Sequence, residues 1–410
     1  MKKKERLITA LDIGASKVCC LIANPPKQKG VIDVLGYGIA HHDCLKKGVV
    51  TDIKGLSDAI ADAVYEAEEI SSKKVQSAFF NITGTHLKGV ASHGEIVISD
   101  RDNEITRHDV GRVIANAKSI HMPYERDIIY TDRRDFVVDG EKGIKHPAGM
   151  FGIKLETDLY IVTAKMSVID NLKKSIRQAG IGIEGSVISG IATSSSSVSD
   201  HEKSLGVILL DIGADLCEIT IFLDGGLTFL KVLNFGGDRI TKAIARGLNI
   251  PEGIAERLKL EHGNIEGKIK DEKIIVSVDS RKKSISKSAL NEIILAEYKS
   301  LFNAIKRELD ASGITEYASS GIVVCGQPAI MDGSLELAEN ILNFPVRIGH
   351  IMGLGSSPKP LLSHVYSTSV GILKVGASMM ESKRSLLTMG PKNMAMAAVD
   401  YLHKLYNDYF

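Results

Sequence analysis

Residues 206–222 read GVILLDIGADLCEITIF, and residues 7–23 read LITALDIGASKVCCLIA. When Asp211 is aligned on Asp12, 199 positions earlier, the two stretches share Asp-Ile-Gly-Ala between apolar runs of the kind that forms buried strands. Each copy continues into a turn and a further strand-like run. The chain is therefore predicted to be an internal duplication, which decides how the remaining elements are arranged.

The shared turn has the chemistry of a phosphate site. A strand that ends in Asp and turns tightly through Gly can present backbone N–H groups to a phosphate, while the carboxylate reaches a hydrated Mg²⁺. A single Asp-x-Gly is also common in ordinary hairpins, so one copy alone carries little information. Two aligned copies favour a cleft in which both turns hold one phosphate chain.

Length, charge and cysteine usage exclude several classes of protein. The 410 residues, 44% of them apolar, suffice for two or more domains with sizeable cores. A net charge of +1 argues against a nucleic-acid partner held by bulk charge. Five cysteines without C-x-x-C spacing indicate free thiols in a reducing cytoplasm. Because Asp12, Gly14 and Lys17 interrupt the first apolar run, we expect neither a signal peptide nor a membrane span there.

Between the two copies the sequence pattern changes twice. Residues 84–163 combine alternating strand-like runs with one amphipathic helix, and we interpret them as a small α+β subdomain inserted into the first half. Residues 186–200 contain Gly190 and a run of serines. They fit either a Ser-rich linker between the halves or a small-residue helix that packs closely at a hinge.

Several motifs resemble those of the actin-like ATPases. The two phosphate loops, the adenosine motif and the two connecting helices of that superfamily are matched at 12–17, 211–213, 323–326, 190–192 and 369–371. Four further strings are similar to the FtsA family of bacterial cell-division proteins: KGVVTD at 47–52, IKHPAG at 144–149, GGD at 236–238 and AERLKLEHG at 255–263. The resemblance covers nearly the whole chain, and the insertion after Thr83 is at the FtsA position.

The resemblance implies a duplicated α/β fold of the actin-like (ribonuclease H-like) kind, with two halves around a nucleotide cleft, an inserted α+β subdomain and a C-terminal amphipathic helix. The implied core subdomains are 1–83 with 164–192 and 193–235 with 312–380. The implied accessory parts are the insertion 84–163, an outer subdomain 236–311, a linker 381–391 and a membrane-targeting helix 392–410.

The resemblance also implies a function. Such a protein binds ATP, polymerises, and tethers FtsZ filaments by their C-terminal tail to the inner face of the cytoplasmic membrane at the division site, alongside other division proteins. Asp12 and Asp211 would hold Mg²⁺ through water. The implied nucleotide-binding residues are Asp12, Gly14, Ala15, Ser16, Lys17, Asp211, Gly213, Ala214, Gly236, Gly237, Asp238, Glu256, Lys259, Gly326 and Gln327. Spacing alone would make Glu256 and Lys259 a solvated ion pair worth little energy.

The second loop departs from the family pattern Asp-x-Gly-Gly-Gly-Thr. Ala214 adds a Cβ where backbone approaches phosphate, Asp215 brings a carboxylate toward a polyanion, and Leu216 removes a hydroxyl donor. Gln327 replaces the second glycine of the adenosine motif. We therefore expect nucleotide affinity or turnover to be reduced relative to the family, so that the protein is at most a weak ATPase.

The last nineteen residues, 392–410, place their apolar side chains on one broad side of a helical wheel, opposite Asn393, Asp400, Lys404 and Asn407. This pattern fits a helix docked on the body of the protein or an interfacial membrane helix, and the FtsA resemblance favours the membrane. Two lysines are matched by two aspartates, so binding to anionic lipid is expected to be weak per copy and to depend on polymer avidity.

The FtsZ contact and the function class are the remaining questions. The family binds the acidic FtsZ tail through basic residues around the helix at 290–301, where this chain has Glu297. Lys287, Lys299, Lys306 and Arg307 could supply the charge, although a solvated helix face explains them equally well. Alternatives to a division adaptor are an actin-like pilus-assembly protein, which shares the cleft and the insertion site, and a sugar kinase of the same superfold, for which we find no catalytic base.

Overall fold

The computed structural model describes residues 7–26, 30–99, 102–265, 272–278 and 281–388. The predicted terminal helix, 392–410, lies outside these residues. No helix in the described ranges is both long and apolar enough to cross a bilayer.

The chain begins with a meander of apolar strands and one long helix. These elements are β1 (Ile8–Ile13), β2 (Lys17–Ala23), β3 (Val34–His41), the short hairpin strands β4 (Leu45–Lys46) and β5 (Val49–Val50), α1 (Ile53–Ser71) and β6 (Ser77–Ile82). The Asp52 side chain caps α1 by accepting a hydrogen bond from Lys54 N.

An inserted α+β subdomain follows. It consists of β7 (Lys88–Val97), α2 (Arg107–Lys118), β8 (Arg126–Val138), β9 (Glu141–Ile144) and β10 (Lys154–Lys165). The strands form an antiparallel sheet in the order β7-β10-β8-β9. Thr106 and Asp109 form a capping box at the start of α2, as the sequence Thr-x-x-Asp allows.

The chain then completes the first half and builds the second. The elements are α3 (Met166–Gln178), β11 (Gly182–Ile188), α4 (Ser189–Ser197), α5 (Asp200–Leu205), β12 (Val207–Ile212), β13 (Cys217–Leu223), β14 (Gly226–Leu233), α6 (Gly237–Leu248), α7 (Glu252–His262), β15 (Lys273–Val278), β16 (Arg281–Ser286), α8 (Lys287–Ser312), β17 (Ile322–Cys325), α9 (Ser334–Leu342), β18 (Val346–Ile348) and α10 (Ser367–Thr388).

The two large sheets have the same topology. Their strand orders are β11-β6-β1-β2-β3 and β18-β17-β12-β13-β14. In each sheet an antiparallel three-strand meander is extended by two parallel strands. The registers also agree, because Asp12 pairs with Cys19 in one hairpin and Asp211 with Glu218 in the other. The predicted duplication is confirmed.

The Ser-rich segment is the helix α4, and it packs directly on α10. Ser196 Oγ donates a hydrogen bond to Ser367 O at 2.7 Å. A Cβ at Gly371 would lie only 1.8 Å from Ala192 O, so the two helices touch backbone to backbone. Of the two descriptions that the sequence allowed, the small-residue helix is the one found.

The inserted subdomain packs against the second half, although its chain leaves and re-enters the first. Leu230 N donates to Tyr160 Oη at 2.7 Å, and Leu227 N donates to Asp132 Oδ2 at 2.7 Å. Arg134 adds an ion pair of 3.1 Å with Asp224, in the turn before β14, and donates a hydrogen bond of 2.6 Å to Thr228 Oγ1 on β14 itself. The insertion therefore contacts both halves.

One predicted boundary is wrong. The polar stretch expected to be a linker at 381–391 continues α10 as far as Thr388. Glu, Lys, Arg and Leu have good helix propensity, so the polar composition did not distinguish a continuation of the helix from a connection.

Candidate functional site

A cavity of about 910 Å³ lies between the turns of the two repeated hairpins. This volume is within the usual range for small-molecule sites. Fourteen of the fifteen nucleotide-binding residues predicted from the sequence line it. They are Asp12, Gly14, Ala15, Ser16, Lys17, Asp211, Gly213, Ala214, Gly237, Asp238, Glu256, Lys259, Gly326 and Gln327. Gly236 lies just behind this lining, where a Cβ would come within 2.4 Å of Ala214 O.

The two hairpin turns have the same backbone geometry. Gly14 N donates to Lys17 O at 2.9 Å, and Gly213 N donates to Leu216 O at 2.8 Å. The second turn is also fixed from α6, because Asp238 N donates to Ala214 O at 2.7 Å. The substitution of Ala214 for glycine thus leaves the turn itself intact.

Asp12 lies at the end of β1 and faces the cavity. Ser369 Oγ donates to its Oδ2 at 2.6 Å, and Asn81 Nδ2 donates to its Oδ1 at 3.1 Å. The pKa of this carboxyl is raised to about 6, mainly by burial and also by the charge of Asp211, while the hydrogen bond from Ser369 and the charge of Lys17 act in the opposite direction. The protein's own hydrogen bonds and charges therefore compensate the negative charge of Asp12 only in part.

Asp211 occupies the equivalent position at the end of β12. Its Oδ2 accepts hydrogen bonds from Thr193 Oγ1 at 2.8 Å and from Thr368 Oγ1 at 3.1 Å. These hydroxyls come from α4 and from α10, so both connecting helices hold this one carboxylate. Burial raises the pKa of Asp211, and both threonines oppose that rise.

Glu256 and Lys259 form an ion pair within a polar cluster, in which Lys259 is buried and the Glu256 side chain is 41% exposed. The Lys259 side chain is only 10% exposed and lies 2.7 Å from Glu256 Oε2. Its Nζ also donates to Thr241 Oγ1 at 2.8 Å and to Gly237 O at 3.2 Å. Thr241 Oγ1 donates in turn to Glu256. The cluster fixes the start of α6 against α7 at one end of the cavity.

Gly326 ends β17 with φ of +92°, a conformation that favours glycine. A Cβ there would lie 2.1 Å from Ile212 O, so the strand ends of β12 and β17 require this close approach. Gln327 and Pro328 continue the wall, and Tyr298 Oη donates to Pro328 O at 2.7 Å. The adenosine-motif segment is thus held against α8.

Several residues of the site were not predicted from the sequence. Glu218 lies opposite Asp211 in the hairpin and is 3% exposed. Thr83 Oγ1 donates to its Oε2 at 2.7 Å, and Gly190 N donates to its Oε1 at 2.6 Å. The repeat alignment contained a signal for it, because Glu218 is aligned with Cys19 and so places an acid where the first copy has a thiol.

The cavity is strongly acidic. Three lysines are among the residues that line it, Lys17, Lys242 and Lys259. Nine carboxylate side chains also line it: Asp12, Asp211, Asp215, Glu218, Asp238, Glu252, Glu256, Glu261 and Asp332. A polyanion can enter such a cavity favourably only with cations that offset the repulsion.

Comparisons with known proteins agree with this geometry. A family model described as "SHS2 domain inserted in FTSA" matches residues 84–163, and one described as "Cell division protein FtsA" matches residues 208–371. The Cell division protein FtsA of Pseudomonas aeruginosa is 32% identical over 389 residues, which cover 94% of this chain and 93% of that protein.

Solved structures show the same fold. The PilM-PilN type IV pilus biogenesis complex superposes with a TM-score of 0.64 at 14% identity, covering 91% of this chain and 99% of that one. MreB5 of Spiroplasma citri bound to ADP superposes with a TM-score of 0.53 at 11% identity, covering 93% and 98%. The predicted actin-like fold is confirmed.

Proposed function

Since the chain belongs to the FtsA family of cell division proteins, we propose that it is an actin-like division protein that binds ATP with Mg²⁺ and polymerises. In this proposal it assembles on the inner face of the cytoplasmic membrane and tethers FtsZ filaments there. The proposal that the protein binds a nucleotide rests mainly on the two equivalent hairpins, whose carboxylates, Asp12 and Asp211, face one cavity.

The donor set of the cavity fits a hydrated Mg²⁺. Carboxylate oxygens and water are the ligands this ion prefers, and the raised pKa of Asp12 and of Asp211 indicates negative charge that a cation would compensate. Gly14 to Lys17 would hold the phosphates, and Glu256 with Lys259 would lie near the ribose and base. The similar MreB5 structures carry ADP and, in a second crystal, AMPPNP, which supports a nucleotide here.

We propose further that the cleft binds nucleotide weakly. Ala214, Asp215 and Leu216 replace the small and hydroxyl-bearing residues of the family loop, and the cavity has three times as many carboxylates as lysines. Each added phosphate charge must therefore be balanced by metal. Any ATP turnover is expected to be slow for the same reason.

A calorimetric titration tests this part. We expect Mg·ATP to bind with a Kd on the order of 100 µM, and we expect the affinity to fall at least about tenfold when Mg²⁺ is chelated. Asp12→Asn should reduce this Mg²⁺ dependence, because it removes one of the two carboxylates that would hold the ion through water.

The matched control is Asp58→Asn, which removes an exposed carboxylate on α1 and should titrate like the unchanged protein. Tight, low-micromolar binding would refute a weakened cleft. An absence of binding at millimolar Mg·ATP would refute the nucleotide site itself.

Liposome co-sedimentation tests the membrane part. A chain that ends at Thr388 keeps all of α10 but lacks the predicted amphipathic helix, 392–410. We expect the full chain to sediment with vesicles containing anionic lipid and the shortened chain to remain in the supernatant. Sedimentation should increase with ATP if polymer avidity contributes.

Two single substitutions make the test specific. Leu405→Asp and Asn407→Asp add the same charge on opposite sides of the predicted helix. The first should release the protein from vesicles and the second should have little effect. Equal behaviour of the two variants, or continued sedimentation of the shortened chain, would contradict an amphipathic membrane helix.

A surface on α8 is the proposed site for the acidic FtsZ tail. Glu297, whose charge opposes such a partner, is paired with Arg239 at 2.9 Å. Lys299, Lys306 and Arg307 are exposed on the same helix. Neutralisation of Glu297 by Arg239 leaves these three basic side chains to attract the tail.

A pilus-assembly role is the second candidate, because the PilM-PilN complex superposes with a higher TM-score than MreB5. The match to the FtsA family model and the near full-length similarity to a division protein favour cell division. The vesicle experiment separates the two candidates, since we expect membrane binding through the C-terminal helix only from the division protein.

A further inference from the structure

Besides the shared aspartate, the second hairpin carries a carboxylate at two positions where the first hairpin has an uncharged residue. In the repeat alignment Asp215 takes the place of Ser16, and Glu218 takes the place of Cys19. Ser16 contributes to its own half, since its carbonyl oxygen accepts a hydrogen bond from His42 N at 3.1 Å. The two carboxylates of the second hairpin instead reach across to the first half.

Asp215 bonds to the turn between β4 and β5. Its Oδ2 accepts a hydrogen bond from Lys47 N at 2.6 Å. Lys47 and Gly48 both have positive φ, at 55° and 80°, which forms the tight turn that exposes this N–H group. A backbone donor to a charged acceptor makes one of the stronger hydrogen bonds available to a protein.

Glu218 makes the second connection, a short distance from the first. It joins the second half to Thr83 of the first half and to Gly190 at the start of α4. Gly48 packs so tightly against Thr83 that a Cβ on it would lie 2.2 Å from Thr83 O. Both carboxylates therefore hold a single structural unit made of the Lys47–Gly48 turn and Thr83.

We propose that Asp215 and Glu218 form a clasp that keeps the cleft closed without nucleotide, by joining the second hairpin to Lys47 and Thr83 of the first half. The clasp restrains the cavity of the proposed function but needs no nucleotide for its own formation. A polyphosphate that enters must share the turn region with the Asp215 carboxylate, which makes the clasp a competitor of the ligand.

The clasp also lies at the root of the inserted subdomain. Thr83 directly precedes the stretch matched by the SHS2 model, 84–163, and Thr85 N donates to Lys47 O at 3.4 Å. Because the insertion packs on β14 as well, opening of the cleft must disturb either its root or its docked face. The state of the cleft is thereby coupled to the position of the insertion.

Hydrogen exchange measured by mass spectrometry on the full chain without nucleotide tests the clasp. In Asp215→Ala, peptides that cover 44–50 should exchange about tenfold faster than in the unchanged protein. Thr83→Val removes the second connection without changing the side-chain shape, and the double variant should exchange faster than either single variant. Asp215→Asn keeps an acceptor oxygen and should retain most of the protection.

Glu261→Ala is the control, because Glu261 lines the same cavity and pairs only loosely with His262 on its own helix, at 3.9 Å. This substitution should leave the exchange rates of peptides that cover 44–50 unchanged. Wild-type exchange rates in the double variant would overturn the clasp, and so would acceleration spread evenly over all peptides, which reports global unfolding. Added Mg·ATP tests the proposed function separately: if it changes no peptide of the unchanged protein, nucleotide binding fails while the ligand-free comparison stands.

Discussion

Replacement of Gly371 by alanine is expected to lower the free energy of unfolding by about 3 kcal/mol or more. The new Cβ would lie 1.8 Å from Ala192 O and 2.3 Å from Ala192 C, and both are backbone atoms of the buried helix α4. A flexible side chain could move aside, but a helix backbone cannot. Urea unfolding followed by circular dichroism measures the loss.

The same substitution should also damage the site. Thr193 on α4 and Thr368 on α10 both donate to Asp211, and they flank the contact that the new methyl group would force apart. We therefore expect Gly371→Ala to weaken Mg·ATP binding as well as stability.

Gly111→Ala is the matched control. Gly111 is inside α2, and a Cβ there would meet no atom within 4 Å. Alanine in an open helical position is expected to stabilise the protein by about 0.5–1 kcal/mol. Similar effects of the two substitutions would mean that the helix contact is not as close as the structure shows.

The fold could be predicted because its signal is repeated in the sequence. Asp12 and Asp211 lie near the ends of mainly apolar strands, and two copies of the same local pattern fix the same topology twice. The chemistry of the hairpin turns is equally local, since Gly14 and Gly213 make their turn bonds within four residues. Local chemistry of this kind is visible without a structure.

The cross-cleft contacts could not be predicted in the same way. Glu218 contacts Thr83 and Gly190, which belong to other segments of the chain. Only the folded structure brings these three residues together. Asp215 was recognised as a departure from the family loop, but its acceptance of Lys47 N depends on how the halves face each other. Contacts between distant segments leave no periodic pattern in the sequence from which they could be predicted.

The Ser-rich segment shows a third case. Serine is a poor indicator of structure because its hydroxyl can bond to nearby backbone in a turn or within a helix. Ser196 Oγ lies 3.0 Å from Thr193 O within α4 and 2.7 Å from Ser367 O on α10, so its hydroxyl is shared between its own helix and a distant one. Contact with α10 decides that the segment is a helix and not a linker, and the sequence of the segment does not identify that partner.

Glu218 is the most unusual acid of the cleft. Its pKa is raised to about 7, mainly by burial and also by the charge of Asp211, while the hydrogen bonds from Thr83 and Gly190 act in the opposite direction. Because the carboxyl binds its proton more tightly in the folded protein than in the unfolded chain, it contributes stability below pH 4.5, and that stability is lost as the pH rises toward 7. Ionised Glu218 is therefore a cost at neutral pH.

Glu218→Gln should remove this cost while keeping the contacts. The amide oxygen can accept from Gly190 N, and the amide NH₂ can donate to Thr83 Oγ1. Relative to the unchanged protein, we expect the free energy of unfolding of the variant to be higher by about 3 kcal/mol at pH 8 and nearly equal at pH 4.5.

Urea unfolding of both proteins at several pH values between 4.5 and 8 measures this difference. The raised pKa values of Asp12 and Asp211 also lower stability as the pH rises. The effect of their own burial is the same in both proteins and cancels when the profiles are subtracted, whereas the repulsion between Asp211 and Glu218 is part of the difference measured. Glu261→Gln, at a residue whose side chain is 58% exposed, is the control and should change the free energy of unfolding only slightly. If the Glu218→Gln profile ran parallel to that of the unchanged protein, the carboxylate would be as well solvated when folded as when unfolded, and the cost assigned to it would be wrong.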